Sequence, residues 1–271
     1  MLRVQRIESL DIPELAPYRS MRLQRDHHQQ GIFVAEGEKV TRRLLESPVE
    51  VISIVLPDKW LADLGSLAER RRETVIAHVA PKEVLETLTG FPMYQGVLGL
   101  GRIPAAVPLD SALQSSPGPR LFAAVDGLTS SENLGIVVRN CAALGVQALL
   151  VGETSSHPYI RRAVRNSMGA VFKLPLIEPA SLVEAIADLR RRGVCSFAAH
   201  PHTDECKLSA ADFTGDCCIV FGSEGQGLSA EVLDACERCV AIPMCEGVDS
   251  LNVASATAAF LYEVRRQRGL A

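Results

Sequence analysis

Three stretches of the chain carry residue types whose spacing could do chemistry. The first is Gly222-Ser223-Glu224-Gly225-Gln226-Gly227, which follows the apolar run Cys217-Cys218-Ile219-Val220-Phe221. Glycines at this density let the backbone turn tightly and let a ligand approach the peptide groups closely. The second is Val240-Ala241-Ile242-Pro243-Met244, then a turn over Cys245 to Asp249, then Ser250-Leu251-Asn252 opening a helix of small residues, VASATAA. Two strand-to-turn-to-helix junctions so close together suggest one composite ligand site made largely of backbone. The third is Asn133-Leu134-Gly135-Ile136-Val137-Val138-Arg139, at the start of a helix that ends at Gly145. Val137, Cys141 and Leu144 form its apolar stripe. At about 100° per residue, Arg139 points roughly 160° away from that stripe. It is either a solvated charge or a charge directed into a site.

Bland alternatives stand beside each of these. A glycine turn with the spacing of Gly222, Gly225 and Gly227 is as often an ordinary βα loop. It is not a Walker A loop, which needs Gly-Lys-Ser/Thr, and it does not have the G-x-G-x-x-G spacing of a dinucleotide fold, which disposes of a NAD-type dehydrogenase. Cys236 and Cys239 form a CxxC within what reads as a helix, with Cys245 nearby and no second CxxC, so no metal site is expected. The run Ala199-His200-Pro201-His202 with Cys206 reads as a solvated loop after a strand.

The elements that must position these residues follow from periodicity. Residues 1 to 30 are polar and helix-compatible, with Arg19, Arg22 and Arg25 along one helical face. From Gly31, strands and helices alternate up to Ile103, giving a small α/β unit. Pro104 to Arg120 is crowded with proline, serine and glycine and reads as a linker. From Leu121 the order is βαβαβ with strands apolar on both faces, so a parallel sheet with flanking helices is expected. The expected domains are 1–103, a linker over 104–120, and 121–271.

Composition bounds the class. The chain has 271 residues, 47% hydrophobic and 22% charged, with a formal net charge of −4. That argues against indiscriminate coating of nucleic acid, though not against local basic patches. The N-terminus has no apolar signal region, and no apolar run approaches the length of a membrane span. A cytoplasmic protein without membrane contact is expected, with its eight cysteines reduced.

Together the three stretches resemble the SpoU-type family of RNA ribose 2′-O-methyltransferases, within the knotted SPOUT group. Asn133 to Arg139 matches N-x-G-x-x-x-R, Phe221 to Leu228 matches G-S-E-G-x-G-L, and Ile242-Pro243-Met244 with Ser250-Leu251-Asn252-Val253 matches I-P-M…S-L-N-V. Arg165-Asn166-Ser167-Met168-Gly169-Ala170 is similar to a further K-x-S-x-G-A segment, with arginine where lysine is usual. The likeness spans Leu121 to Arg266. The N-terminal unit, through Phe33-Val34-Ala35-Glu36-Gly37 and a helix bearing Arg42 and Arg43, resembles the family's substrate-recognition domain.

The resemblance implies a C-terminal trefoil-knotted, parallel-sheet methyltransferase domain and a smaller N-terminal α/β domain for RNA. It implies S-adenosylmethionine as donor, held mainly through backbone at Gly222, Gly227, Ile242, Met244 and Leu251. Asn133, Arg139, Glu224, Ser250 and Asn252 fall in catalytic positions. Arg42, Arg43, Arg161, Arg162 and Arg165 are the candidates for RNA phosphates. Partners are structured RNA, ribosomal before transfer RNA, and a second copy bound through the C-terminal domain. A catalytically silent RNA-binding protein of the same fold is the alternative from another class. In the family the arginine corresponding to Arg139 is often proposed as general base. A free guanidinium has a pKa above about 12, so the role expected here is to hold the adjacent phosphate and stabilise the developing alkoxide.

Overall fold

The structure is a computed structural model that describes residues 1–90, 92–93 and 95–270, with Gln24 and Arg25 described in backbone only. It divides into two compact units, Met1–Ala105 with Pro158–Lys173, and Ala106–His157 with Leu174–Ala271.

The first unit is built on a five-stranded sheet in the order β1-β4-β3-β5-β2. Its strands are β1 (Leu2–Arg6), β2 (Ile32–Glu36), β3 (Val51–Leu56), β4 (Val75–Val79) and β5 (Leu98–Arg102). Strand β4 pairs in parallel with β1 and β3, while β5 pairs antiparallel with β3 and β2. The helices are α1 (Ala16–Arg19), α2 (Gln24–Gln29), α3 (Glu38–Leu45), α4 (Leu61–Glu69) and α5 (Lys82–Thr89). Leu2–Arg6, read from sequence as helix-compatible, is a strand. Its Leu2 and Val4 alternate with the polar Arg3 and Gln5, and its pairing with Val75–Val79 places it at a sheet edge. The three N-terminal arginines do not share a helix: α1 ends at Arg19, Arg22 lies in the following turn, and the side chain of Arg25 is outside the described residues. Tyr18, fully buried, shares a 2.8 Å hydrogen bond with Ser53 and packs with Leu15, Met21, Val34, Val55 and Leu85 into one core.

The second unit contains a six-stranded, all-parallel sheet in the order β11-β9-β10-β6-β7-β8. The chain enters through α6 (Leu109–Ser115), then β6 (Leu121–Val125), α7 (Ser131–Ala143) and β7 (Ala148–Val151). It then runs through residues 158–173, carrying α8 (Arg161–Asn166), which cluster with the first unit. It continues with β8 (Leu176–Ile177), α9 (Leu182–Arg191), β9 (Cys195–Ala199), β10 (Cys217–Phe221), α10 (Ala230–Ala235), β11 (Arg238–Val240) and α11 (Val253–Gln267). Strands β6 and β10 are buried along their whole length, as their unbroken apolar runs require. The proline- and serine-rich stretch before Leu121 is more than a tether. Ala112 and Leu113 of α6 are buried in the same core as Phe122, Leu150, Ile186 and Val220. Among the described residues no helix is long and apolar enough to cross a membrane.

Candidate active site

The carboxyl ends of parallel strands are where open α/β sheets place ligands, and the second unit has its main cleft there. It is lined by the glycine turn Gly222 to Gly227, by Ile242, Met244, Ser250 and Leu251, by Val253, Ala256 and Phe260 of α11, and by Ala199 to His202 after β9. Phe221 and Phe260 meet edge to face at 5.8 Å and close the cleft from below.

The turn is shaped by its own backbone. Ser223 and Gly227 exchange hydrogen bonds, 3.0 Å from the Ser223 N–H and 3.1 Å from the Gly227 N–H. A Cβ on Gly222 would lie closer than 3.0 Å to the carbonyl of Gly227 and to the amide nitrogen of Leu228, so only glycine fits. Gly227 has φ +70°, the left-handed region that glycine adopts without strain. Beyond the turn, Ser229 stands at the N-cap of α10, but its hydroxyl does not cap that helix. Its N–H and hydroxyl both donate to Asp126 Oδ2, at 2.7 and 2.8 Å. Asp126, buried at the end of β6, therefore anchors the exit of the glycine turn. Nothing local in the sequence around Asp126 marks Ser229, 103 residues on, as its partner.

At the rim of the cleft the three motif segments meet. Asn133 of α7 donates to the Glu224 carboxylate and accepts from Asn252 Nδ2 at 3.3 Å. Asn252 in turn caps α11 by accepting from the Ala254 N–H at 2.9 Å. A second asparagine of α7, Asn140, donates to the Ala254 carbonyl at 2.7 Å, so α7 holds the first turn of α11 twice. Glu224 is thus held by the Asn133 amide, which Asn252 holds in turn. The Glu224 carboxylate is bonded to Asn133, and no bond between it and Arg139 is present among the described residues. Arg139 lies on the exposed side of α7, as its register requires, outside the cleft lining and without a carboxylate partner among the described residues.

The basic candidates of the first unit are engaged within that unit. Arg42 sits between Glu38 at 2.7 Å and Asp63, whose hydrogen bonds raise its pKa. Arg43 donates to the Met168 carbonyl. Arg161 and Arg165 both bind Glu36, the latter at 2.8 Å. Arg161 and Glu36 are each only 14% exposed in their side chains, while Arg165 is 60% exposed. Arg162 is exposed. Arg165 and Arg162 therefore present the more accessible charge. In the further segment, Met168 adopts φ 53° and Gly169 φ 77°, with Arg43 packed against Gly169.

The cysteines do not form a site. Cys236 ends α10 and Cys239 lies on β11, so the CxxC spans a helix end and a strand rather than one helix. All eight are free thiols. Burial pushes the thiols of Cys141, Cys217 and Cys236 up to about 12, which removes their thiolate reactivity. Among the described residues no group of three or more His, Cys, Asp or Glu could hold a metal ion. The histidine run, by contrast, is part of the cleft: His200 and His202 line it.

The lining suits S-adenosylmethionine. Bare backbone at Gly222, Gly225 and Gly227 offers peptide groups to polar edges, Ile242, Met244, Leu251 and Val253 offer apolar walls, and Glu224 offers the one carboxylate. That set fits a ligand with a flat base, a sugar and a cationic end.

Comparison with known proteins agrees. Residues 120–262 match the model of the SpoU rRNA Methylase family. The chain is 34% identical over 240 residues to an uncharacterised tRNA/rRNA methyltransferase of Mycobacterium bovis, covering 88% of this chain and 82% of that one. It is 31% identical over 214 residues to the 23S rRNA (guanosine-2′-O-)-methyltransferase RlmB of Ralstonia nicotianae, covering 79% and 85%. The SpoU methyltransferase AviRb of Streptomyces viridochromogenes, solved with the cofactor AdoMet, superposes with a TM-score of 0.80 at 26% identity, over 95% of this chain and 98% of that one. The chain belongs to the SpoU rRNA methylase family and is an RNA ribose 2′-O-methyltransferase that uses S-adenosylmethionine.

Proposed function

We propose that this enzyme methylates the 2′-hydroxyl of one nucleotide in ribosomal RNA, with Arg139 holding the phosphate beside the reacting ribose. The observation that carries the reading is the hydrogen-bonded chain Glu224–Asn133–Asn252, which joins all three motif segments at the rim of one cleft. Ribosomal RNA is favoured by the Ralstonia relative, whose name specifies 23S rRNA.

S-adenosylmethionine supplies the methyl group as a sulfonium electrophile. The backbone of Gly222, Gly227, Ile242 and Leu251 holds the nucleoside, with Met244 as an apolar wall. Glu224, held by Asn133, faces the cationic end. Ser250 lines the cleft just before α11. Because the electrophile is already activated, positioning in line with the 2′-oxygen supplies much of the rate. Arg139, with no carboxylate to neutralise it, binds the phosphate beside the target ribose and stabilises the alkoxide as it develops. The proton leaves through that phosphate or water. In the first unit Arg162 and Arg165 contact RNA phosphates first. Arg42, Arg43 and Arg161 are the less accessible candidates, with Arg42 and Arg161 only 30% and 14% exposed in their side chains.

A homodimer through the second unit belongs to the same reading. Ile136, Val248, Leu251 and Tyr262 expose large apolar side chains on α7, the third motif loop and α11. Sedimentation equilibrium tests this, and a monomer at micromolar concentration removes it. The same reading has the chain after Phe221 threading a trefoil knot. Closing the termini of an experimentally traced backbone tests it, since a path that relaxes to a plain loop is unknotted.

Function is tested by incubating the protein with labelled donor and RNA from a strain lacking it, then mapping the label. One alkali-resistant 2′-O-methyl site in ribosomal RNA is expected. Label confined to transfer RNA moves the substrate, and bound cofactor without transfer to any RNA leaves a silent RNA-binding protein.

A further inference from the structure

We propose that His200 and His202 form a side-chain wall whose ring faces hold the nucleoside half of the cofactor, supplementing a site otherwise built from backbone. The proposal rests on reading the cleft as the S-adenosylmethionine site.

The wall is fixed from the sheet. Strand β9 ends at Ala199, and the His200 N–H donates to the Val240 carbonyl of β11 at 3.0 Å. Pro201 then limits the backbone between the two histidines. Their rings stand edge to face, 6.0 Å apart at 86°, and both residues line the cleft. Neither imidazole has a hydrogen-bond or ion-pair partner among the described residues, whereas His27 is bonded to Ser20 and His157 to Glu178. Two uncommitted imidazoles on residues that line a ligand cleft are available to that ligand.

The cleft's own polarity says which half they meet. The glycine turn follows β10, in the middle of the sheet order. On its β6 side lies α7, whose Asn133 holds the Glu224 carboxylate. A sulfonium and an ammonium group are cationic and belong beside that carboxylate. On its other side lie β9 and β11, which lead into the histidines and into Ile242 and Met244, with no carboxylate among the lining residues there. A neutral, flat base belongs against apolar and aromatic surface. The two ends of the ligand are thereby assigned to the two sides of the turn.

The test is calorimetry with two ligands, S-adenosylhomocysteine and methylthioadenosine, which share the nucleoside and differ in the amino-acid end. Aromatic contacts of this kind predict that the pair His200→Ala, His202→Ala weakens both ligands by a similar factor, about tenfold. The pair His200→Phe, His202→Phe keeps two flat rings and should bind both within about threefold of the parent. Three results would overturn the proposal: alanine variants that bind like the parent, a loss confined to S-adenosylhomocysteine, or phenylalanine variants as weak as the alanine pair. Failure of the parent itself to bind S-adenosylhomocysteine would instead remove the cofactor reading beneath it. Thermal unfolding of each variant guards against misfolding, and the phenylalanine pair keeps the comparison informative if the alanine pair is unstable.

Discussion

Replacing Gly222 by alanine should weaken cofactor binding while leaving most of the fold intact. The added Cβ would sit closer than 3.0 Å to the Gly227 carbonyl and the Leu228 nitrogen, where ordinary contact begins at 3.4 Å. Those neighbours are backbone, so no side chain can rotate away. The turn cannot simply slide either. Its entry is held by the Asp126 N–H on the Phe221 carbonyl, its middle by the paired hydrogen bonds of Ser223 and Gly227, and its exit by Ser229 on Asp126. Relief therefore means opening the turn by roughly an ångström, and overpacking of this kind costs about 1–3 kcal/mol of stability. Restoring the binding geometry would cost that same energy, so S-adenosylhomocysteine should bind about 5- to 150-fold more weakly. Gly225→Ala is the control for stability, because its Cβ meets nothing within 4 Å and unfolding should be unchanged. The assay is isothermal calorimetry beside urea denaturation. A Gly222→Ala protein that binds S-adenosylhomocysteine within threefold of the parent would refute the reasoning.

Two further outcomes follow from the first unit. His78 is fully buried, neither ring nitrogen has a partner, and burial lowers its pKa from 6.5, with nearby Glu14 opposing weakly; burial likewise lowers His27. Below about pH 6.5 the unfolded chain binds protons that the folded chain refuses, so stability should fall on acidification by up to about 1.4 kcal/mol per pH unit for each such histidine. His78→Leu should flatten that slope in urea titrations between pH 7 and 5, and an unchanged slope would clear His78 of the effect. Glu36→Gln removes the largely buried carboxylate that binds Arg161 and should cost about 3 kcal/mol. Arg165→Gln, at the exposed end of the same cluster, should cost less than about 1 kcal/mol. Equal losses would show that burial does not set the difference.

Much of the second unit was legible because its signals are local. Unbroken apolar runs gave buried parallel strands, and the glycine, proline and asparagine spacing gave the turns. The register of Val137, Cys141 and Leu144 put Arg139 on the exposed face, where it lies. What was hidden depends on partners distant in sequence. Asp126 is an unremarkable acid until Ser229 folds onto it, and Asn133 reaches Glu224 across 91 residues. The histidine run looks like a solvated loop because nothing in Ala199-His200-Pro201-His202 says that β9 ends beside the cleft. Leu2–Arg6 reads as polar helix because an edge strand needs few apolar residues, and its pairing with β4 supplies the rest. The segment 158–173 continues the methyltransferase motifs in sequence yet clusters with the first unit. Tyr159 and Phe172 pack on Phe33, at 4.8 and 5.6 Å between ring centres, a contact that no local pattern announces.

In the proposed reaction Arg139 acts on the substrate, without a part in holding the fold or the cofactor. This role is tested most directly by single-turnover transfer of labelled methyl to ribosomal RNA, comparing Arg139→Ala and Arg139→Lys with the parent. S-adenosylhomocysteine affinity and thermal unfolding are measured on the same samples. Because Arg139 is exposed and outside the cleft lining, both variants should bind cofactor and unfold as the parent does. Loss of a charge that stabilises the developing alkoxide should slow transfer by about 100-fold or more in Arg139→Ala, with partial recovery in Arg139→Lys, which keeps the charge but not the fork. Transfer by Arg139→Ala at the parent rate would contradict the account and require the site to be rebuilt around another residue.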